Sequence, residues 1–296
     1  MRKFVHILQS MRPGQWTKNL VVFAGLVFSQ NLFDAQLALK SVEAFALFCL
    51  LSGMIYVAND IADIEKDRLH PSKRNRPLPS GRLKMSTAAT AAVTGTAIGL
   101  VLSWMVGWQF FVVAVLFLCV NSLYSFALKR VVLLDVMSIS VSFVLRAIAG
   151  VEALRELDPT IAISPWLLIC TLFLSLFLAF CKRRYELITL TDAGDHRAAL
   201  LEYSPALLDQ LVAVTAGGSV LAYAIYTIWP ETVEKFGTAN LVYTVPLVLL
   251  GVMRYLYLVY SKQKGGSPSD LLVHEKFILI VVLVWIALVV AIISWF

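Results

Sequence analysis

Charge is scarce in this 296-residue chain: Asp, Glu, Lys and Arg together make up only 15% of it. That supply is too thin to cover a soluble protein of this size, and it excludes an intrinsically disordered one. Cysteine is as sparse. Cys49, Cys119, Cys170 and Cys181 fall in or at the ends of apolar runs and form no CxxC pair, which excludes a zinc ribbon and a disulfide frame. His6, His70, His196 and His274 are scattered, so no histidine cluster suggests a metal centre. Met1 to Pro13 lacks the continuous apolar core and small-residue cleavage site of a secretory leader, and no strict internal repeat is present. What remains is apolar: 59% of residues are hydrophobic and the mean hydropathy is +0.79. The chain reads as an all-α polytopic membrane protein.

Apolar runs predict nine transmembrane helices near Trp16 to Phe33, Val42 to Ile61, Thr87 to Val106, Gln109 to Leu128, Leu134 to Leu154, Pro165 to Phe180, Leu207 to Ile228, Leu241 to Val259 and Leu272 to Trp295. The first is short and interrupted by Gly25, Ser29 and Gln30. Lys and Arg in the connections set the orientation: with the N-terminus inside, nineteen lie in inside segments and three, Lys40, Arg155 and Lys235, in outside ones. The N-terminus is therefore expected in the cytoplasm and the C-terminus on the far side of the cell (inner) membrane. The net charge of +6 needs no nucleic acid to explain it, since anionic leaflets and phosphate ligands suffice. Residues 1–296 are expected to form one transmembrane domain, with polar loops at about 59–85 and 182–204 capping a cavity that faces the cytoplasm.

The stretch on which the chain is organised is Asn59 to Gly81, acidic first and basic after. At about 100° per residue, Asn59, Asp60, Asp63 and Asp67 share one helical face, with Glu65 and Arg68 opposite. Carboxylates at helical neighbour spacing repel one another, so this face is costly unless a cation sits on it. Mg²⁺ suits it: a hard ion that takes oxygen ligands and is commonly held by one or two carboxylates plus substrate phosphates. Asn59, Asp63 and Asp67 are the expected metal ligands. Pro71 turns the chain, and Lys73 and Arg76 on the loop beyond suit the shared oxygens of a diphosphate. Arg74, Arg82 and Lys84 fit a plain cytoplasmic anchor better.

Other polar residues gather near the same membrane face. Lys18 follows Trp16 at the membrane entrance. Asn121, Tyr124 and Lys129 lie near the end of the fourth segment. After the sixth, Lys182, Arg183 and Glu186 share a helical face, with Asp192 and Asp195 beyond. Two four-helix halves, each presenting a polar helix end, are expected to build one cavity. Arg146 stands about a dozen residues from the inside end of its helix among apolar neighbours, where a charge is expensive and by default marks a polar cavity. Asp135 is a weaker candidate, and Arg254 reads as structural.

The run NDxxDxxxDRxHPxKxxRP resembles the first Asp-rich motif of the UbiA superfamily of intramembrane prenyltransferases. Within it, RPGQWTKN at Arg12 to Asn19 and KRRYEL at Lys182 to Leu187 resemble the branch of decaprenyl-phosphate phosphoribosyltransferases. The resemblance spans nearly the whole chain and is strongest in the polar loops. It implies a UbiA-type bundle and Mg²⁺-dependent transfer of a 5-phosphoribosyl group from phosphoribosyl diphosphate to a polyprenyl phosphate, with diphosphate released. It also implies catalytic roles for Asp60, Asp63, Asp67, Tyr124 and Arg146. Phosphate or sugar contacts are implied for Lys18, Lys73, Arg76, Asn121, Lys129, Lys182, Arg183, Tyr185 and Glu186. The second DxxxD motif of ordinary members is replaced by a displaced DxxD at Asp192 and Asp195 behind the basic KRRYE, an arrangement suited to a monophosphate. Two other readings stay open: a conventional aromatic prenyltransferase using a prenyl diphosphate, and a lipid or phosphate transporter. The polar residues crowd one membrane face rather than the midplane of transporter sites. Membrane lipid is the expected surrounding, and a homo-oligomer remains open.

Overall fold

The computed structural model describes residues 2–29, 32–70, 73–189, 198–268, 271 and 274–295. Among these no strand occurs, and the regular elements are helices in the order α1 Arg2–Ser10, α2 Ala24–Val27, α3 Ala35–Ala62, α4 Ile64–Leu69, α5 Met85–Val106, α6 Trp108–Phe126, α7 Leu134–Arg155, α8 Pro165–Thr189, α9 Pro205–Ile228, α10 Pro230–Phe236, α11 Val245–Ser261 and α12 Lys276–Trp295. Short 3₁₀ turns punctuate them. Among the described residues, eight helices are long and apolar enough to cross a membrane, and the chain is an integral membrane protein.

The described residues give eight such spans rather than nine because the described part of the first expected segment folds differently. Arg12 takes a left-handed backbone (φ 54°), Pro13 starts a 3₁₀ helix, and that helix runs to Phe23 before the single turn α2. A 3₁₀ helix rises ~2.0 Å per residue and seldom runs so long. Thr17, Val21 and Val22 are β-branched residues with weak α propensity, so this stretch gains little from closing α turns. Other boundaries lengthen instead. Helix α3 begins seven residues before Val42 because the Asp34 side chain caps it, accepting from the Gln36 and Leu37 backbone N–H groups at 2.8 and 2.9 Å. Helix α8 runs past Phe180 to Thr189, carrying KRRYEL as helix rather than loop.

The contacts divide the chain into two compact units: Met1–Ser125 with Leu145–Ala162, and Phe126–Val144 with Ile163–Phe296. In the first unit the core centres on Phe48 of α3, which meets Phe110 edge-on (centroids 5.7 Å apart) and Phe117 at 5.0 Å. The 3₁₀ segment reaches α7 backbone to backbone: a Cβ on Gly25 would meet Val151, and one on Gly150 would meet the Val22 carbonyl. Close approach through small residues is the usual way helices pack in lipid, where apolar burial drives little. A third cluster pins the basic loop: Leu78 and Leu83 are buried against Met54, Val57, Ala88 and Ala92.

In the second unit α8 and α9 pack along their length, and Phe177 meets Tyr255 of α11 edge-on at 5.4 Å. At the other end of α9, Tyr223 joins Thr244 by a 2.6 Å hydrogen bond and accepts from the Trp285 indole at 2.9 Å, so the polar tips of these aromatics are satisfied away from water.

Candidate active site

In the first unit the acidic helix end and the basic loop close on one another. Helix α3 ends at Ala62, Asp63 alone breaks the helical run with φ −99° and ψ 10°, and α4 resumes at Ile64. The break barely disturbs the register: Asp63 N–H reaches the Asn59 carbonyl at 2.9 Å, and Asp67 N–H reaches that of Asp63 at 2.8 Å. Asp60 and Asp67, seven residues apart and thus about 20° apart around a helix, are the two acids driven inside, at 2% and 3% exposure; Asn59 and Asp63 are half-buried.

The buried pair is bridged by Arg76, whose Nη1 donates to Asp60 Oδ1 at 3.2 Å and to Asp67 Oδ2 at 2.6 Å. Lys73 approaches Asp67 Oδ1 at 3.7 Å. Arg12, which stands just before the 3₁₀ segment, donates to Asp60 Oδ1 and stacks over the Tyr56 ring at 4.9 Å. Asp60 Oδ2 is buried without a hydrogen-bond partner. Arg74, Arg82 and Lys84 are exposed, as an anchoring role requires, and Arg82 ties the loop to itself through Ser80 Oγ (3.0 Å) and the Asn75 carbonyl.

This donor set fits a divalent cation that shares its coordination with phosphate. The oxygens are hard, Asp60 keeps one unsatisfied, and guanidinium N–H groups flank them. A metal held by protein alone fits less well. Among the described residues no group of three or more His, Cys, Asp or Glu side chains is gathered as a metal cage.

Deeper in the same unit lies Arg146, 5% exposed. Its Nε donates to Asn19 Oδ1 at 2.7 Å, and its guanidinium faces the Phe117 ring at 4.6 Å. Asn19 in turn donates to Cys49 Sγ (3.3 Å) and Ser52 Oγ (3.2 Å) of α3. The expected polar cavity at Arg146 is thus a packed polar node linking the 3₁₀ segment, α3 and α7. Lys18, one residue before Asn19, is half-buried, as is Tyr124; Asn121 spends its amide on the Phe117 carbonyl at 2.7 Å.

The second unit has its own charged cluster at the end of α8. Arg183 is 1% exposed and Asp135 fully buried; Nε donates to Asp135 Oδ2 and Nη1 to Glu186 Oε2, both at 2.6 Å. Tyr203 completes the network, donating to Asp135 Oδ1 and accepting from the Leu133 N–H, each at 2.8 Å. Burial, reinforced by the Asp135 charge, raises the Tyr203 phenol above its ordinary value, so it stays a proton donor at neutral pH. Lys182 sits 3.8 Å from Glu186. Tyr185 packs against Gly265 and Gly266, where an added Cβ would meet its side chain. Arg184 is held by Asp209 and stacks on Tyr260 at 3.9 Å. Lys129 is half-buried in the 3₁₀ turn Leu128–Arg130. Arg254 pairs with Glu275 at 2.6 Å, in keeping with a structural reading. Asp192 and Asp195 lie outside the described residues.

Sequence reasoning thus named the acids and Arg76 but passed over Arg12, Asn19, Tyr203 and Asp209. Arg12 and Asn19 bracket the RPGQWTKN run, and their polar character at the rim of an apolar segment was the available signal.

Among the described residues the buried carboxylate and guanidinium cluster stands at the end of α3, the first of the eight membrane-length helices, an arrangement that fits a membrane-embedded protein handling phosphate groups. The UbiA prenyltransferase family pattern matches residues 20–274, and the chain belongs to that family. It is 31% identical over 291 residues to the decaprenyl-phosphate phosphoribosyltransferase of Mycolicibacterium smegmatis, covering 95% of this chain and 90% of the relative. Its identity to the Corynebacterium glutamicum protein of the same name is 30%, over 95% and 84% of the two chains. Among solved structures, a UbiA homologue from Archaeoglobus fulgidus bound to GPP and Mg²⁺ superposes with a TM-score of 0.72 at 18% identity, covering 98% of this chain and 99% of that one.

Proposed function

We propose that this protein is a Mg²⁺-dependent phosphoribosyltransferase that moves the 5-phosphoribosyl group of phosphoribosyl diphosphate onto a polyprenyl phosphate, decaprenyl phosphate being the acceptor the relatives' name suggests. The observation that carries the reading is the cluster of Asp60 and Asp67 with Arg12, Arg76 and Lys73. It suits a diphosphate with its cation, in a chain matched nearly end to end by relatives named for this reaction.

In the reaction the bond between ribose C1 and the diphosphate oxygen breaks, and a bond from C1 to an oxygen of the lipid phosphate forms. Asn59, Asp63 and Asp67, with Asp60 beside them, would hold the Mg²⁺, which would supply neutralisation of the leaving diphosphate. Arg76, Lys73 and Lys18 bind its oxygens and stabilise the charge that grows on them. Asn121 and Tyr124 orient the sugar; Lys129, Lys182 and Tyr185 receive a phosphate monoester; Arg183, locked between Asp135 and Glu186, holds the end of α8 in place for Lys182. No general base is needed, because a phosphate monoester is already anionic at neutral pH. Positioning and fixed charge carry the acceleration. We place the charged ends, and with them the site, on the cytoplasmic side of the cell membrane from the lysine and arginine bias, with residues 1–296 acting as one UbiA-type domain.

The test is diphosphate release by the purified protein in detergent. Release that needs both phosphoribosyl diphosphate and decaprenyl phosphate, and stops with EDTA, is expected. Release only with a prenyl diphosphate and an aromatic acceptor such as 4-hydroxybenzoate overturns it in favour of an ordinary prenyltransferase.

A further inference from the structure

Charge at the acidic cluster is already balanced from within. Arg12, Arg76 and Lys73 bring three positive charges to the two buried carboxylates of Asp60 and Asp67, and both guanidiniums converge on a single oxygen, Asp60 Oδ1. Arg76 sits between the acids where a cation bridging them would sit. A bare divalent ion entering here meets fixed cations within a few ångströms, each repelling it in a medium that screens charge less than water does. Two buried acids do not make a metal cage either. A diphosphate changes the balance, because its oxygens accept from the guanidiniums in a charge-assisted fork while the carboxylates turn to the metal. The Arg12 and Arg76 side chains are each 29% exposed, so a side-chain rotation on the open side carries each guanidinium from acid to phosphate.

We propose that Arg12 and Arg76 are exchange counter-ions: they hold Asp60 and Asp67 until a diphosphate takes their N–H groups, so that the divalent cation enters this site as the chelate of its diphosphate and not alone. The inference rests on the diphosphate reading of the cluster and adds an order of binding, together with a phosphate-binding role for Arg12. Asp60 Oδ1 is the oxygen the exchange would free, beside an Oδ2 that is already buried and unpartnered. The left-handed backbone at Arg12 fixes where its side chain departs, which makes Arg12 a positioned member of the cluster despite its distance in sequence.

Equilibrium dialysis of the purified full chain in detergent, following Mn²⁺ as the probe ion and labelled inorganic diphosphate, decides the matter without turnover. The wild type is expected to retain Mn²⁺ about tenfold more tightly with diphosphate than without it. In Arg76→Gln, bare Mn²⁺ should bind about tenfold more tightly than in wild type, and diphosphate should add little. Arg12→Gln should shift both quantities the same way by less, because Asp60 keeps Arg76; it decides the question alone if Arg76→Gln does not fold. Bare Mn²⁺ affinity that is unchanged or weaker in the folded variants, with diphosphate still recruiting metal to wild type, overturns the exchange and leaves the diphosphate site standing. A rise in bare affinity with the diphosphate effect intact overturns the hand-over. No diphosphate-dependent metal uptake in wild type overturns the exchange and the diphosphate site together.

Discussion

Arg146 Nε donates to Asn19 Oδ1 at 2.7 Å across 127 positions of sequence. The bond fastens the 3₁₀ entry segment to the middle of α7, and through Cys49 and Ser52 it includes α3. A guanidinium buried to 5% exposure is tolerated only where its N–H groups are met, so the node is a device for holding three elements in register.

Truncating Asn19 should therefore cost more than its own hydrogen bonds. Asn19→Leu leaves a buried charge short of its acceptor and should destabilise the protein by ~3–5 kcal/mol. The pair Asn19→Leu with Arg146→Met should recover part of that loss, by ~1–3 kcal/mol of coupling. Thermal unfolding in detergent measures both. Additive losses would show that the two residues act independently.

The acidic face should respond as a charge carrier and not as packing. Asp63→Asn is near-isosteric at a half-buried site and should move the unfolding midpoint little, and Asp67→Asn, which keeps an acceptor for Arg76 but loses the charge, should lower it modestly, while diphosphate release falls by ~10²-fold or more in both. Near-normal turnover in both variants would sink the metal-face assignment.

The network of Asp135, Arg183 and Tyr203 should respond in the opposite way. Both members of the ion pair are sealed from solvent, so Asp135→Ala leaves the buried Arg183 with Glu186 alone and should cost ~3 kcal/mol. Tyr203→Phe removes one donor to Asp135 and leaves the Leu133 N–H unmet, for ~1–3 kcal/mol. If Tyr203→Phe keeps wild-type stability but loses turnover, the network is part of the chemistry and not a brace.

The sequence made some of this legible and not the rest, for reasons visible in particular residues. The spans and the acidic face could be read because they depend on hydropathy and a 100° period, both local properties; the register of Asp60 and Asp67 survived even the break at Asp63. The 3₁₀ run Pro13–Phe23 was not legible, because its apolar end at residues 20–23 runs on into Ala24–Val27 like the start of a span, while the close backbone approach to α7 is a long-range contact that no local pattern carries. Arg183 sat in a basic run that read as phosphate-facing, yet one turn of helix decides whether such a residue faces solvent or Asp135. Its partner lies 48 residues away, and no local pattern carries that pairing. Arg12 was missed for the same reason, since Asp60 is also 48 positions distant.

Backbone approach at Gly150 offers the sharpest test of how the 3₁₀ segment is seated. An added Cβ would run into the Val22 carbonyl, an atom fixed by its own helix, and the adjoining crossing at Gly25 and Val151 is close as well, though less severely. The contact cannot be relieved by turning a side chain, so Gly150→Ala should force the segment away from α7 and cost ~1–3 kcal/mol. The same movement would lengthen the bond between Asn19 and Arg146, three residues from Val22 and four from Gly150, and shift Arg12 at the start of the segment. Gly150→Ala is thus expected to lower both the unfolding temperature and the diphosphate affinity of the purified protein. Gly217→Ala, where a Cβ meets nothing, should change neither. Equal behaviour of the two variants would mean that the segment is seated by its side chains and not by the glycine contact.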